Sequence, residues 1–311
     1  MSTLAMTLIE HSKNASPLTQ AVTDIYAQSS DILMALPFKN VVGGAYKYSI
    51  EDAGGGIAFR GINESYTPST GVENPQVETL SIAGGDADVD MFLLATQGEG
   101  RRAREENKKI KSLSRGITDA ILAGDSSTDP REFDGLQRRL TGDQVLANSA
   151  AAGGAALSLA ALDDLIERVT EPTHLIMNKR FRDVHFKGLL RNQTLQGNVD
   201  IQKDDLGRPV VLYNGLPFLI GYETGPEARI LPFTEVGSGG GGAVTSSIYC
   251  VSMKDGHMCG IQDSAIATRD LGELETKPAK RTRIEWYPGI VIENPYSASR
   301  LTSITDASIV A

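Results

Sequence analysis

Apolar positions along this chain switch between a period near 3.6 and a period of 2, and the switches mark its parts. In residues 17–28, Leu18, Val22, Ile25 and Tyr26 share one helical stripe with no core of their own beside them, which predicts a short helix in an N-terminal arm. Tyr46-Lys47-Tyr48-Ser49-Ile50 alternates as a strand and Ile57-Ala58-Phe59-Arg60 follows as a second. The acidic, glycine-rich stretch Glu51-Asp52-Ala53-Gly54-Gly55-Gly56 between them predicts a β-hairpin with a flexible tip. Residues 38–75 are rich in Gly, Asn, Thr, Pro and Ser and poor in large aliphatics, so this loop buries little surface alone and is predicted to borrow a partner's. Two more extended runs, Glu78-Thr79-Leu80-Ser81-Ile82 and Val89-Asp90-Met91-Phe92-Leu93-Leu94, stand on either side of a turn or bulge at Gly84-Gly85.

The longest helical pattern covers residues 101–123. Ile110, Leu113, Ile117, Ala120 and Ile121 lie on one face, and Gly124 is placed to close the helix in a left-handed conformation. Such a helix is about 35 Å long. Its remaining surface is basic, with Arg101, Arg102, Arg104, Lys108, Lys109 and Lys111, so it reads as a spine lying across a sheet with its other side free.

A compact α/β pattern follows the polar residues 125–132. It contains a helix over 159–169 capped by Ser158 and stopped at Glu171-Pro172, a strand over 174–178, and a helix over 179–191. A strand pair over 209–221 turns at Asn214-Gly215, and a further strand covers 247–253. Gly237-Ser238-Gly239-Gly240-Gly241-Gly242 predicts a flexible, exposed loop. At the end, residues 281–287 and 290–293 form one long strand interrupted by Pro288-Gly289, a step suited to a bulge or an edge. No repeat with a period of roughly 20 to 50 residues is present, which excludes a solenoid.

With 311 residues, two lobes are expected in place of one small core. No apolar run approaches the roughly 18 residues of a membrane span, and the opening stretch predicts no secretory leader. Cys250 and Cys259 are the only cysteines and are expected to be free thiols. The net charge of -9 argues against a dedicated nucleic-acid reader. It is unevenly spread: residues 1–100 hold 4 Lys/Arg and 12 Asp/Glu, whereas 101–124 hold 7 and 3. Solvated faces are the plain reading of this asymmetry, and pairing of an acidic arm with a basic helix between copies is the alternative.

The order of parts is acidic arm, extended hairpin, strands, long helix, compact α/β lobe and returning strands. It resembles the major capsid fold of tailed double-stranded DNA bacteriophages, shared with encapsulin shells. Ile57-Ala58-Phe59-Arg60-Gly61-Ile62-Asn63-Glu64, Phe133-Asp134-Gly135-Leu136-Gln137, Leu175-Ile176-Met177-Asn178-Lys179, Tyr213-Asn214-Gly215-Leu216-Pro217 and Arg281-Thr282-Arg283-Ile284-Glu285-Trp286-Tyr287 look like segments of that family. The likeness runs from about Leu33 to Ile304.

The resemblance implies an α+β protein with an N-terminal arm (1–37), an extended loop (38–75), a peripheral domain (76–141) built on the spine helix, an axial domain (142–260), and strands returning to the peripheral domain (261–311). It also implies a structural protomer that assembles into hexamers and pentamers of an icosahedral head in a host cytoplasm, with an encapsulin-like compartment shell as the alternative and a soluble α/β enzyme, for which no convergent set of polar residues is found, as a third reading. Tyr46, Lys47, Tyr48, Ile57, Phe59 and Arg60 of the extended loop would then touch neighbouring subunits. Implied partners are further copies of the chain, a separate scaffolding protein, a portal protein and packaged double-stranded DNA bound without sequence specificity. Neither a cofactor nor a membrane is implied. Some relatives weld subunits by an isopeptide bond between Lys and Asn, and Lys47 is the one lysine suitably placed, but neither its Asn nor a catalytic Glu is identifiable.

Other chemistry falls short. Asp86, Asp88 and Asp90 share one strand face, but Met91 and Gln97 stand where a calcium loop needs Gly and a bidentate acid, so a solvated face is expected, with Lys or Arg of another subunit as the alternative. Cys250, His257 and Cys259 lack a fourth zinc ligand. His11, His174, His185 and His257 lie in different elements with no nucleophile elbow, and the Gly237 loop lacks the Gly-Lys-Ser/Thr ending of a phosphate loop. Phe181, Val184, Gly188 and Trp286 are read as core. No catalytic or metal-binding residue is expected.

Overall fold

The computed structural model describes residues 6–13, 17–53, 56–66, 70–191, 199–203, 209–222 and 229–310. Two hydrophobic clusters organise most of it. The first gathers around the spine helix Glu99–Ala123, whose Ile110, Ile117, Ile121 and Leu122 pack with Leu33, Leu36, Phe38, Ile284 and Trp286. The second fills the α/β part with Leu157, Leu162, Phe181, Phe186, Tyr213, Phe218 and Leu301.

Three sheets carry these clusters. A three-stranded antiparallel sheet, in the order Ala267–Glu273, Ala279–Trp286, Ala83–Asp90, lies against the spine. A second joins Phe38–Asn40, Met258–Gln262 and Pro288–Ile292. The largest runs Val145–Ala147, Ala298–Thr305, Ala243–Val251, His174–Ile176, Leu216–Leu219, Pro209–Tyr213, Val199–Lys203, with Glu235–Val236 beside Ala243–Val251. Residues 298–305 were expected among the strands returning to the peripheral domain. They pair instead with Ala243–Val251 in this large sheet, where Leu301 and Ile304 are fully buried.

Pro288-Gly289 is not a bulge in one strand. It is the hand-over point at which the chain leaves the partner Ala83–Asp90 and begins pairing with Met258–Gln262. Asn214-Gly215 turns as expected, with both residues at positive φ (49° and 79°).

The hairpin differs from its expected pairing. Ala45–Ala53 pairs antiparallel with Val72–Thr79, not with residues 57–60, which adopt no strand. The longer second run offers a full ladder, and Pro75 is tolerated because a two-stranded ribbon is all edge. Gly54 and Gly55 of the expected tip lie outside the described residues.

Residues 91–94, expected to extend a strand, form the helix Met91–Gln97. Asp90 caps it by accepting a hydrogen bond from the Phe92 backbone N–H (2.7 Å), and the helix formers Met, Leu, Leu and Ala then dominate. The spine ends at Gly124 with φ −56°, so glycine is there not for left-handed backbone. A Cβ at this position would collide with the Phe133 carbonyl oxygen and stand 2.5 Å from that of Ala120.

The Gly237–Gly242 loop is docked, not free. Gly153 N–H donates to the Gly240 carbonyl (2.8 Å), Ser238 N–H to Ser303 Oγ (2.8 Å), and a Cβ on Gly239 would strike the Ala150 carbonyl. Ser158 makes no side-chain cap for Leu159–Glu167; its own N–H donates to Asn148 Oδ1 (3.0 Å). In the helix expected over 179–191, Phe181–Phe186 is wound as a wide π turn. That shifts which positions face inward: Phe181 and Phe186 are buried, while Val184 is exposed.

Candidate assembly surface

The ribbon is fixed at its base and bare beyond it. At the base, the Lys39 ammonium, 5% exposed as a residue, donates to Glu293 Oε1 (2.6 Å) and pairs with Asp255 Oδ1 (2.6 Å). Tyr46 OH donates to the same Glu293 oxygen (2.6 Å), and Lys39 Nζ lies 5.5 Å from the Tyr46 ring centroid. Burial alone would lower the Lys39 pKa, but its hydrogen bonds to Asp255 and Glu293 outweigh that and hold it above the ordinary lysine range. On the other strand Glu78 takes a two-pronged bond from Arg139, and Tyr48 OH reaches Glu78 Oε1 at 3.5 Å. Burial, with the Glu78 charge, pushes the Tyr48 hydroxyl up to about 12. Tyr46 and Tyr48 stack at 6.0 Å, whereas Lys47 between them points to solvent.

Past this anchorage the side chains lose contact with the body. Ile57, Phe59 and Ile62 are 89%, 99% and 94% exposed. Val72 and Val77 on the ribbon are also more than half exposed. Local bonds shape the segment all the same: Glu64 Oε2 accepts from Gly61 N–H (2.8 Å), and the Arg60 guanidinium sits 5.2 Å from the Tyr66 ring centroid. Three large apolar side chains held in water within six residues form a patch a lone protomer gains nothing from.

The spine's basic residues divide by role. Arg102 is structural, bonded to Glu106 (3.0 Å), Asp270 (2.8 Å) and Thr282 Oγ1 (2.8 Å). Arg101 pairs with Glu105 (2.7 Å), which also accepts from Lys108 (3.0 Å). The Lys109 stem crosses the bare backbone of Gly85, where a Cβ would overlap it. Arg104 and Lys111 are exposed, and no carboxylate pairs with either among the described residues.

The three aspartates find partners within their own chain. Asp86 faces Arg283 and Asp88 faces Arg281 in register, each by two hydrogen bonds of 2.6–3.0 Å. Those guanidinium bonds hold both carboxyls well below their usual range, and Asp90 caps a helix. Cys250 and Cys259 are free thiols, each buried in a different hydrophobic cluster. Among the described residues no group of three or more His, Cys, Asp or Glu is placed to hold a metal ion, and no helix is long and apolar enough to cross a membrane.

Sequence reasoning missed Lys39, Asp255, Glu293 and Arg139, the residues that anchor the ribbon. Lys39 and Glu293 are 254 positions apart, so no local pattern could have joined them. Ile62 lies in the same stretch of sequence, and its exposure marks it as part of the same patch as Ile57 and Phe59.

The fold that joins the anchored two-stranded ribbon, the long spine across a small sheet and the larger α/β sheet is shared with phage capsid and encapsulin chains. The chain superposes on a chain of the holo-SrpI encapsulin complex from Synechococcus elongatus PCC 7942 with a TM-score of 0.61 and 14% identity, over 89% of this chain and 88% of that one. It matches Mycobacterium phage Bobi at 0.61 and 11% identity over 90% and 91%, and the capsid of an empty GTA particle at 0.60 and 11% over 89% and 90%. No protein-family model matches the sequence, and no curated protein does.

Proposed function

We propose that this chain is the major shell protomer of a phage head: a structural, non-catalytic protein that self-assembles into hexamers and pentamers of a closed icosahedral particle around double-stranded DNA. Further copies of itself, a separate scaffolding protein and a portal protein are its partners. The observation that carries this reading is the ribbon segment with Ile57, Phe59 and Ile62 almost wholly in water. Burying each against a neighbour is worth about 1.5–3 kcal/mol before ordering costs, and symmetry repeats the contact around the shell.

Phe59→Asp/Ile62→Asp tests it. Neither side chain is packed in the protomer, so the variant should unfold at the same denaturant concentration as the unmodified chain while forming no closed particles by electron microscopy. Normal particles from this variant would contradict the assignment.

A cellular compartment enclosing protein is the second reading, favoured by the encapsulin match, whose TM-score equals that of the mycobacteriophage. The contents of purified particles discriminate: nuclease-protected DNA supports the phage head, and a co-purifying protein cargo without nucleic acid supports the compartment.

A further inference from the structure

Arg104, Lys108, Lys111 and Arg115 follow one another at spacings of four, three and four residues, which places all four on one stripe of the spine helix. The stripe covers about 16 Å of helix axis. No Asp or Glu occupies it before Asp119, whose carboxylate is engaged by Tyr222 OH (3.1 Å). Arg104 and Lys111 carry no ion pair among the described residues, Lys108 holds Glu105 at the stripe's margin, and Arg115 lies half-buried over the Tyr222 ring at 5.4 Å. In a chain of net charge -9, an acid-free row of cations along the side of the spine helix away from the core is a local exception.

We infer that this stripe is the face that meets the phosphate backbone of enclosed double-stranded DNA, without reading its sequence. The inference rests on the shell reading above and adds the surface. Duplex DNA carries about one charge per 1.7 Å of axis, so the stripe spans roughly ten phosphates, enough for every cation to find one. An acidic protein segment fits the surface less well. Interfaces between proteins close around an apolar centre, and none of the large exposed apolar residues among those described lies in the spine helix.

The test is a titration of a fluorescent mixed-sequence duplex with the unassembled full-length chain across a fourfold range of KCl. The unmodified chain is compared with Arg104→Gln/Lys111→Gln and with a control, Arg131→Gln/Arg269→Gln, which removes two other exposed cations. Each lost phosphate contact lowers the slope of log affinity against log salt by about 0.9, so the stripe variant should lose about 1.8 and the control nothing. Across the fourfold range that difference is about a tenfold change in affinity.

Equal slopes for the unmodified chain and the stripe variant would overturn the inference. So would displacement of the duplex by polyglutamate at equal charge, which would assign the face to an acidic protein. Electron microscopy of the same preparations separates the two readings. Closed particles from the stripe variant support a role toward contents, and their loss would make the stripe a subunit contact. Absence of particles from the unmodified chain would remove the shell reading, and this inference with it, whatever the slopes.

Discussion

Lys39→Met puts the ion-pair network at the ribbon's base to a quantitative test. Breaking a buried ion pair by removing one partner costs about 3–5 kcal/mol, because the other charge stays desolvated. Here the stranded group is Glu293, whose side chain is 15% exposed and keeps the hydrogen bond from Tyr46 OH; Asp255, half exposed, simply returns to water. The lower end of the range, about 3 kcal/mol, is therefore expected. Adding Glu293→Gln removes the stranded charge and leaves an amide that still accepts from Tyr46. The double variant should be only about 1 kcal/mol below the unmodified chain, recovering about 2 kcal/mol of the single variant's loss.

Trp286, the single tryptophan, is buried in the spine cluster with its ring 5.3 Å from that of Phe38, the residue before Lys39, so its fluorescence in urea reports the relevant unfolding. With a slope of about 3 kcal/mol per molar, the single variant should lose about 1 M in midpoint. Because the Lys39 pKa is raised on folding, its contribution is complete below the unfolded value of about 10.4 and fades only as pH climbs through the folded one. The deficit of Lys39→Met should thus be constant from about pH 6 to 9. A double variant as unstable as the single one would refute the reasoning, for then the stranded Glu293 charge would not be the cause.

Two further outcomes follow from the interior. Gly124→Ala forces a methyl against the carbonyls of Phe133 and Ala120 where the spine meets the next loop, so a loss of about 1–3 kcal/mol is expected in the same urea assay, whereas Gly116→Ala, with nothing within 4 Å, should be neutral or stabilising. Burial pushes both cysteine thiols up to about 12, so a maleimide at pH 8 should leave the native chain unlabelled and modify two sites once it is unfolded. The same shift makes the unfolded state lose those protons first: above about pH 8.5 stability should fall by about 1.4 kcal/mol per pH unit for each thiol, and Cys250→Ala/Cys259→Ala should flatten the fall.

What the sequence disclosed and what it withheld follow from the range of each interaction. The spine was placed to within two residues because its apolar stripe is a property of one local segment, and Asn214-Gly215 was legible because positive φ is a demand on the residue itself. Ala45–Ala53 was seen, but its partner was assigned by proximity, and the true partner lies beyond a long excursion. Asp86 and Asp88 looked like an open acidic face because Arg281 and Arg283, which neutralise them, come nearly 200 residues later. The glycine-rich loop looked free for a related reason: glycines that let backbones touch and glycines that give slack have the same composition, and only the Ala150–Gly153 segment against them tells which they are.

The same distinction bears on how a lattice built through the ribbon would respond to mutation. The Tyr46–Glu293 hydrogen bond on one strand and the Glu78–Arg139 ion pair on the other tie the ribbon's two strands separately to the body, so together they fix the angle at which it leaves. The exposed segment beyond carries the apolar surface but touches nothing that sets direction. Substitutions at Phe59 or Ile62 should therefore weaken each contact without changing curvature. Loss of either tie, as in Tyr46→Phe or Arg139→Gln, should leave the contact surface intact while letting the angle vary, and a closed shell tolerates a weaker bond better than an indefinite angle, since closure requires every protomer to meet its neighbours at a fixed rotation. Base variants are expected to give malformed or open particles at protein concentrations where single tip variants still close, which is the reverse of the ranking that exposed apolar area alone would give.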